Sequence, residues 1–175
     1  MREIKCEDIT KTVKQLCMEA ACNLPSDVFK ALKDKTDTEP YPLAKKTLEV
    51  LIDNADLAKD NMMPICQDTG MAFVYITIGQ EVHVDGDLKA AINEGVRQGY
   101  EEGYLRKSVV DDPLFERINT KDNTPAIIYF DLVCGDEFKI VVAPKGFGSE
   151  NMSQIKMLKP SDGLQGVKDT AFHWS

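Results

Sequence analysis

The residues able to do chemistry gather in three short stretches. In "PICQDTG" (64–70), a thiol, an amide, a carboxylate and a hydroxyl follow one another as Cys66, Gln67, Asp68 and Thr69, just ahead of a strand-forming run. Cys66 has three physical readings: a nucleophile, a metal ligand or an inert packed thiol. A nucleophilic cysteine needs a base, usually histidine. Only His83 and His173 exist; His83 falls at the far end of the predicted strand and His173 near the C-terminus, so a Cys–His dyad is poorly supported. A thiolate suits iron–sulfur or zinc sites, but a single cysteine cannot hold a cluster.

The second stretch, "KGFGSEN" (145–151), sets two glycines after a predicted strand. Glycine lets backbone N–H groups come close to a ligand, and Lys145 adds a cation suited to a carboxylate. The order of residues matches neither a phosphate-binding loop nor a dinucleotide fingerprint. The third stretch, "LRKS" (105–108), carries Arg106 at the end of a predicted helix. A cation there is favoured by the helix dipole alone; arginine is also the best fork for a carboxylate.

These stretches need elements to hold them. Apolar residues at helical spacing (Ile9, Val13, Leu16, Cys17, Ala20, Ala21, Leu24) predict a helix over 7–24, with Cys17 in its core face. "NLPSD" restarts a short helix to about residue 35, and after "DTEPYP" a longer helix runs from Leu43. Met71–Ile78 is almost continuously apolar and predicts a strand buried on both faces. "VDGD" leads into a helix over 88–104 with two stripes, one large (Leu88, Ile92, Val96, Tyr100, Tyr104) and one small (Ala91, Gly95, Gly99, Gly103). Each helical glycine costs about 0.8–1.0 kcal/mol relative to alanine, so the small stripe predicts close approach of another backbone. A long polar connector covers 105–125, and loops of that length are usually functional or disordered. Strands over 126–133 and 138–143, joined by "CGDE", predict a hairpin, and a last helix begins near Ser161. The fold class is mixed α/β (α+β): N-terminal helices packed on a small mixed sheet, a Gly-striped helix and a hairpin.

Composition sets limits on function. The 175 residues carry a net charge of −8, unsuited to the phosphate contacts of nucleic-acid binding. No apolar run approaches the length of a transmembrane helix, and the charged start is not a secretory signal. The expected setting is the cytoplasm, where the five cysteines begin as thiols.

Taken together, "PICQDTG", "GYLRKSVVDDPL", "NTPA" and "APKGFGSENMS", in this order, resemble the α-subunit of class I fumarate hydratase and L(+)-tartrate dehydratase, over residues 5 to 168. These are iron–sulfur hydro-lyases. The resemblance implies a [4Fe–4S] cluster held by three cysteines, with Cys66 as the first ligand and one iron left open to substrate. It implies Asp68 as the acid/base carboxylate, Gln67 and Arg106 as partners of substrate carboxylates, and Lys145 and Gly146 in a loop lining the site. The reaction implied is reversible loss of water from a 2-hydroxy dicarboxylate, fumarate/malate or tartrate/oxaloacetate, with a β-type subunit as partner.

None of Cys6, Cys17, Cys22 or Cys134 matches the family's other two ligand positions, which lie beyond residue 175 in the family pattern. The expectation is a single partial domain over 1–175, a truncated α-subunit inactive alone. The alternative is a non-catalytic remnant or interaction module that docks on a β-type subunit, and a third reading makes Cys66 a free redox-active thiol.

Overall fold

The structure, a computed structural model, describes residues 2–148 and 153–172. In chain order the elements are β1 (Arg2–Lys5), α1 (Cys6–Cys22), α2 (Ser26–Thr38), α3 (Pro42–Asn61), β2 (Met71–Gly79), β3 (Val82–Asp85), α4 (Leu88–Glu102), β4 (Ile127–Val133), β5 (Phe138–Lys145) and α5 (Gly163–Phe172), the last preceded by a 3-10 turn at Pro160–Asp162. The fold is mixed α+β, as the sequence predicts.

Helices α1 and α4 form the centre. Ile9, Val13 and Cys17 recur every fourth residue on α1, and Ile92, Val96 and Tyr100 do so on α4; all are buried. The small stripe of α4 faces α1. A Cβ on Gly95 would lie 2.7 Å from both the Thr10 carbonyl oxygen and the Val13 Cβ, and one on Gly99 would lie 2.9 Å from the Cys17 Cβ. The Thr10 hydroxyl donates to the Ala91 carbonyl at 2.9 Å, tying the helices where they come closest. Asp87 caps α4 by accepting the Ala90 N–H at 3.0 Å. Proline in the first turn of α3, where its missing N–H costs nothing, starts that helix.

A three-stranded sheet, ordered β4-β2-β5, lies against this helix pair. Strand β2 runs parallel to β4 (Phe73 opposite Ile127) and antiparallel to β5 (Met71 opposite Lys145). The predicted hairpin is therefore corrected: β4 and β5 do not pair with each other but flank β2. The "CGDE" link passes over the end of β2, where the Gly79 N–H donates to the Glu137 carbonyl at 2.7 Å and the Glu81 N–H to that of Gly135 at 2.9 Å. Glycine is required at position 79, since a Cβ would sit 2.2 Å from the Gly135 oxygen.

A second correction concerns β2 itself. Ala72, Val74 and Ile76 are buried against the helices, but Tyr75, on the opposite face, is 45% exposed. The strand is central in its sheet yet covered on one side only. Its outer face carries aromatic rings stacked on one another, with Tyr75 and Tyr129 centroids 5.3 Å apart. A continuous apolar run does not distinguish a strand between two layers from one whose outer face is aromatic.

Strands β1 and β3 form a separate parallel pair, Arg2 opposite Val82 through Lys5 opposite Asp85. The sequence leaves both unassigned, because four residues are too few to show a period. Among the described residues no helix is long and apolar enough to cross a membrane.

Candidate active site

The site forms where the start of β2 meets the end of β5. The register places Met71 opposite Lys145, so Gly70 and Gly146 come together just beyond the paired residues. Gly70 has φ +59°, and a Cβ there would lie 2.0 Å from the Lys145 carbonyl oxygen. Positive φ and contact with another backbone both require glycine at this turn. The loop before it is pinned at Ile65, whose N–H donates to the Ala21 carbonyl and whose carbonyl accepts the Asn54 amide, each at 3.0 Å.

Within this turn Cys66 is exposed, which removes the reading of an inert packed thiol. The Asp68 N–H donates to the Cys66 Sγ at 3.4 Å, and the thiol lies 3.4 Å from Gln67 Oε1. Asp68 points the other way. Its Oδ1 accepts the Gly70 N–H at 3.1 Å, and a Cβ on Gly146 would lie 2.8 Å from Oδ2. Gly146 thus leaves one carboxylate oxygen room that any larger residue would fill. Lys145 Nζ donates to the Gly146 carbonyl at 3.1 Å, so its side chain lies along the same loop.

Arg106 arrives from α4. The helix ends at Glu102, and the chain turns at Tyr104, which has φ +52°, while the Leu105 N–H closes back on the Tyr100 carbonyl at 3.0 Å. This corrects the expectation that Tyr104 continues the large apolar stripe: it is 92% exposed. The turn buries Leu105 and leaves Arg106 exposed. Pro64, Cys66, Gln67, Thr69, Tyr104 and Arg106 line one open cleft of about 390 Å³. Under it, the Thr69 hydroxyl donates to the Arg106 carbonyl and the Tyr100 hydroxyl to the Thr69 carbonyl, both at 2.8 Å. Burial pushes the Tyr100 phenol well above its usual pKa, so it remains a neutral donor.

The structure therefore brings Cys66, Gln67 and Arg106 to one cleft and sets Asp68 against Gly146 at its side. Ser149, Glu150, Asn151 and His173 lie outside the described residues. Sequence reasoning misses two contributors. Tyr104 reads as one more member of a helical stripe. Asn123, fully buried, has its amide bonded to both Gly70 and the segment after Arg106; its only sequence signal is its place in "NTPA". Among the described residues no three histidine, cysteine, aspartate or glutamate side chains converge as a metal set. Cys17 and Cys22 are buried in α1, Cys6 opens the same helix, and Cys134 sits on the link between β4 and β5. The described residues fit one ligand position of a cluster, not a complete cluster.

Comparison with known proteins accords with this geometry. The family model described as "Fumarate hydratase (Fumerase)" matches residues 10–174. A Methanocaldococcus jannaschii protein provisionally named L(+)-tartrate dehydratase subunit alpha is 41% identical over 166 residues, covering 92% of this chain and 58% of that protein. The L(+)-tartrate dehydratase subunit alpha of Escherichia coli UTI89 is 28% identical over 168 residues, covering 94% of this chain and 55% of its own. The chain thus spans a little over half the length of these relatives. With a family match over nearly its whole length and a relative of this identity, the chain belongs to the fumarate hydratase family.

Proposed function

We propose that this chain provides part of the active site of an iron–sulfur hydro-lyase acting on a 2-hydroxy dicarboxylate, of the fumarate/malate or tartrate/oxaloacetate type. The observation that carries the reading is the meeting of Cys66, Gln67 and Arg106, from segments some forty residues apart, on one cleft. Cys66 would be a single thiolate ligand to a [4Fe–4S] cluster, the other ligands coming from outside the described residues. Such a cluster supplies Lewis acidity toward a hydroxyl that leaves as water.

The chain's own residues do the rest. Arg106 offers a bidentate fork to one substrate carboxylate, and the Gln67 amide donates a hydrogen bond to the same class of group. The carbon that loses a proton is adjacent to a carboxylate, so negative charge grows there as the proton departs. Arg106 and Lys145 stabilise that charge; fixed cations aimed at developing charge usually contribute more to catalysis than any other single effect. Asp68 accepts the proton in the dehydration direction and returns it in hydration, with Gly146 leaving its Oδ2 within reach. The departing hydroxide takes a proton from solvent to leave as water and Asp68 later releases its proton to solvent, so the net loss is one water and the reaction needs no redox partner.

A β-type subunit is the proposed partner. The relatives' names call them alpha subunits, and the outer face of the sheet leaves Tyr129 and Val141 exposed on either side of Tyr75. The same surface favours the second reading, a docking module without activity of its own.

Two measurements test the proposal. Calorimetric titration of the chain with L-malate and with tartrate should show binding that Arg106→Gln weakens about tenfold or more, the loss of a charged hydrogen bond. Anaerobic incubation with iron and sulfide of this chain joined to the remaining length of a relative's alpha subunit should load iron in a manner that Cys66→Ser abolishes. Absence of dicarboxylate binding, or iron uptake indifferent to Cys66→Ser, would sink the reading.

A further inference from the structure

The "NTPA" stretch (123–126) has no role in the site as proposed, yet Asn123, which opens it, is fully buried. Its φ of +62° lies in the left-handed region that asparagine tolerates better than most residues. Its Oδ1 accepts the N–H of Ser108 at 2.7 Å and of Val109 at 3.1 Å. Its Nδ2 donates to the Gly70 carbonyl at 2.9 Å. One amide therefore ties the segment two residues past Arg106 to the glycine that ends the Cys66–Gly70 turn. Thr69, also buried, makes the neighbouring tie through its hydroxyl to the Arg106 carbonyl at 2.8 Å. The two ties join the same two segments. Aspartate lacks the donor for Gly70, and glutamine is too long for a site with no exposure.

We propose that Asn123 and Thr69 are paired positioning residues that hold Arg106 across the cleft from Cys66 and Gln67. Thr69 borders the cleft with its hydroxyl committed to the Arg106 carbonyl, and Asn123 is fully buried, so both act by fixing the spacing at which a carboxylate can be gripped. The inference deepens the proposed function, resting on it for the identity of the ligand but not for the positioning itself.

The thiol reports that positioning without any substrate. Cys66 is alkylated by anionic iodoacetate and by neutral iodoacetamide, and the ratio of the two rates reads the cation placed beside it. Exposed Cys134, at the far end of β2, serves as internal reference when labelling is resolved by residue in a mass spectrometer. One unit charge at cleft distance in water changes such a ratio about threefold. Arg106→Gln should lower the Cys66 ratio by about that factor. Asn123→Ala should lower it to the same level, and the Arg106→Gln/Asn123→Ala double variant should fall no further. Thr69→Val, which keeps the side-chain shape, should lower it part of the way. A core variant, Val96→Ala, should lose stability and keep the native ratio, separating placement from general loosening.

A native ratio in Thr69→Val and in Asn123→Ala would overturn the proposal. Where Asn123→Ala does not fold, a native ratio in Thr69→Val alone overturns it. Equal additional losses in the double variant would also overturn it, since Arg106 would then not be what Asn123 holds. A ratio that responds as expected in a chain that binds neither malate nor tartrate would instead refute the proposed function and leave the positioning standing.

Discussion

Gly95→Ala tests the closest contact between the two central helices. Alanine at this helical position should gain about 0.8–1.0 kcal/mol from propensity alone. The structure predicts the opposite sign. The new methyl carbon would sit 2.7 Å from the Thr10 carbonyl oxygen and 2.7 Å from the Val13 Cβ. Non-bonded carbons prefer about 3.5–4.0 Å, so the shortfall is roughly 0.8 Å or more. Neither neighbour can swing aside, because one is backbone and the other is the first side-chain atom of a residue with no exposure. The helices must separate, stretching the Thr10–Ala91 hydrogen bond and loosening Ile9, Val13, Ile92 and Val96. Overpacking costs about 1–3 kcal/mol, and contacts of 2.7 Å with atoms that cannot move belong at its upper end, about 2–3 kcal/mol, which leaves a net loss of about 1–2 kcal/mol after the helical gain. In a chain of this size that is a fall in Tm of roughly 2–8 °C. Urea and thermal unfolding followed by far-UV circular dichroism measure it. A midpoint equal to or above that of the native protein would refute the reasoning, since helix propensity alone would then decide the outcome.

Three further outcomes follow from single residues. Burial pushes the Cys17 thiol up to about 12, so at pH 8 it should resist alkylation in the folded protein while Cys66 and Cys134 react; labelling of all three at similar rates would contradict the packing of α1. Hydrogen bonds from Arg97 and Gln98 hold the Glu94 carboxyl at about 2, below its ordinary 4.5. A depressed carboxylate gives stability that is present above about pH 4.5 and is lost as pH falls toward 2; the pair is exposed and its worth is small, so Glu94→Gln should flatten only a modest part of the acid limb of an unfolding-versus-pH curve, and an unchanged limb would remove Glu94 from it. Tyr104 holds a left-handed turn that costs a bulky residue about 1–2 kcal/mol while its ring stays in solvent. Tyr104→Asn should therefore raise the urea midpoint slightly, and a fall would show that the ring makes a stabilising contact.

Sequence periodicity reveals the helices because each has a one-sided stripe long enough to repeat: Ile9, Val13 and Cys17 on α1, and Ile92, Val96 and Tyr100 on α4. The glycine stripe is equally legible, since three glycines in a helix demand a reason and close packing on α1 is that reason. Strand order is hidden. A link of four residues between two strands reads as a hairpin, and only the pairing of β2 with β4 on one side and β5 on the other shows β2 lying between them. β2 reads as a strand with two covered faces, because Phe73 and Tyr75 are as apolar in sequence as Val74 and Ile76.

The site divides along the same line. Cys66, Gln67, Asp68 and Arg106 are legible as types that do chemistry, and the resemblance of their motifs gives each an expected role. What holds them in relation to each other is not legible, because it lies in side chains whose chemistry is ordinary. Asn123 is one polar residue among many in a connector until its amide is seen to span Gly70 and Val109. Gly146 reads as a flexible turn until its missing Cβ is seen as the space beside an Asp68 oxygen. Reactive groups announce themselves by type. The residues that set their spacing act through backbone carbonyls and amides that every residue possesses, so only the folded register shows which carbonyl Asn123 and Thr69 reach. Sequence motifs such as "NTPA" therefore mark such residues earlier than their chemistry does, and a motif without an evident reactive group is a reasonable place to look for the residues that hold a site in register.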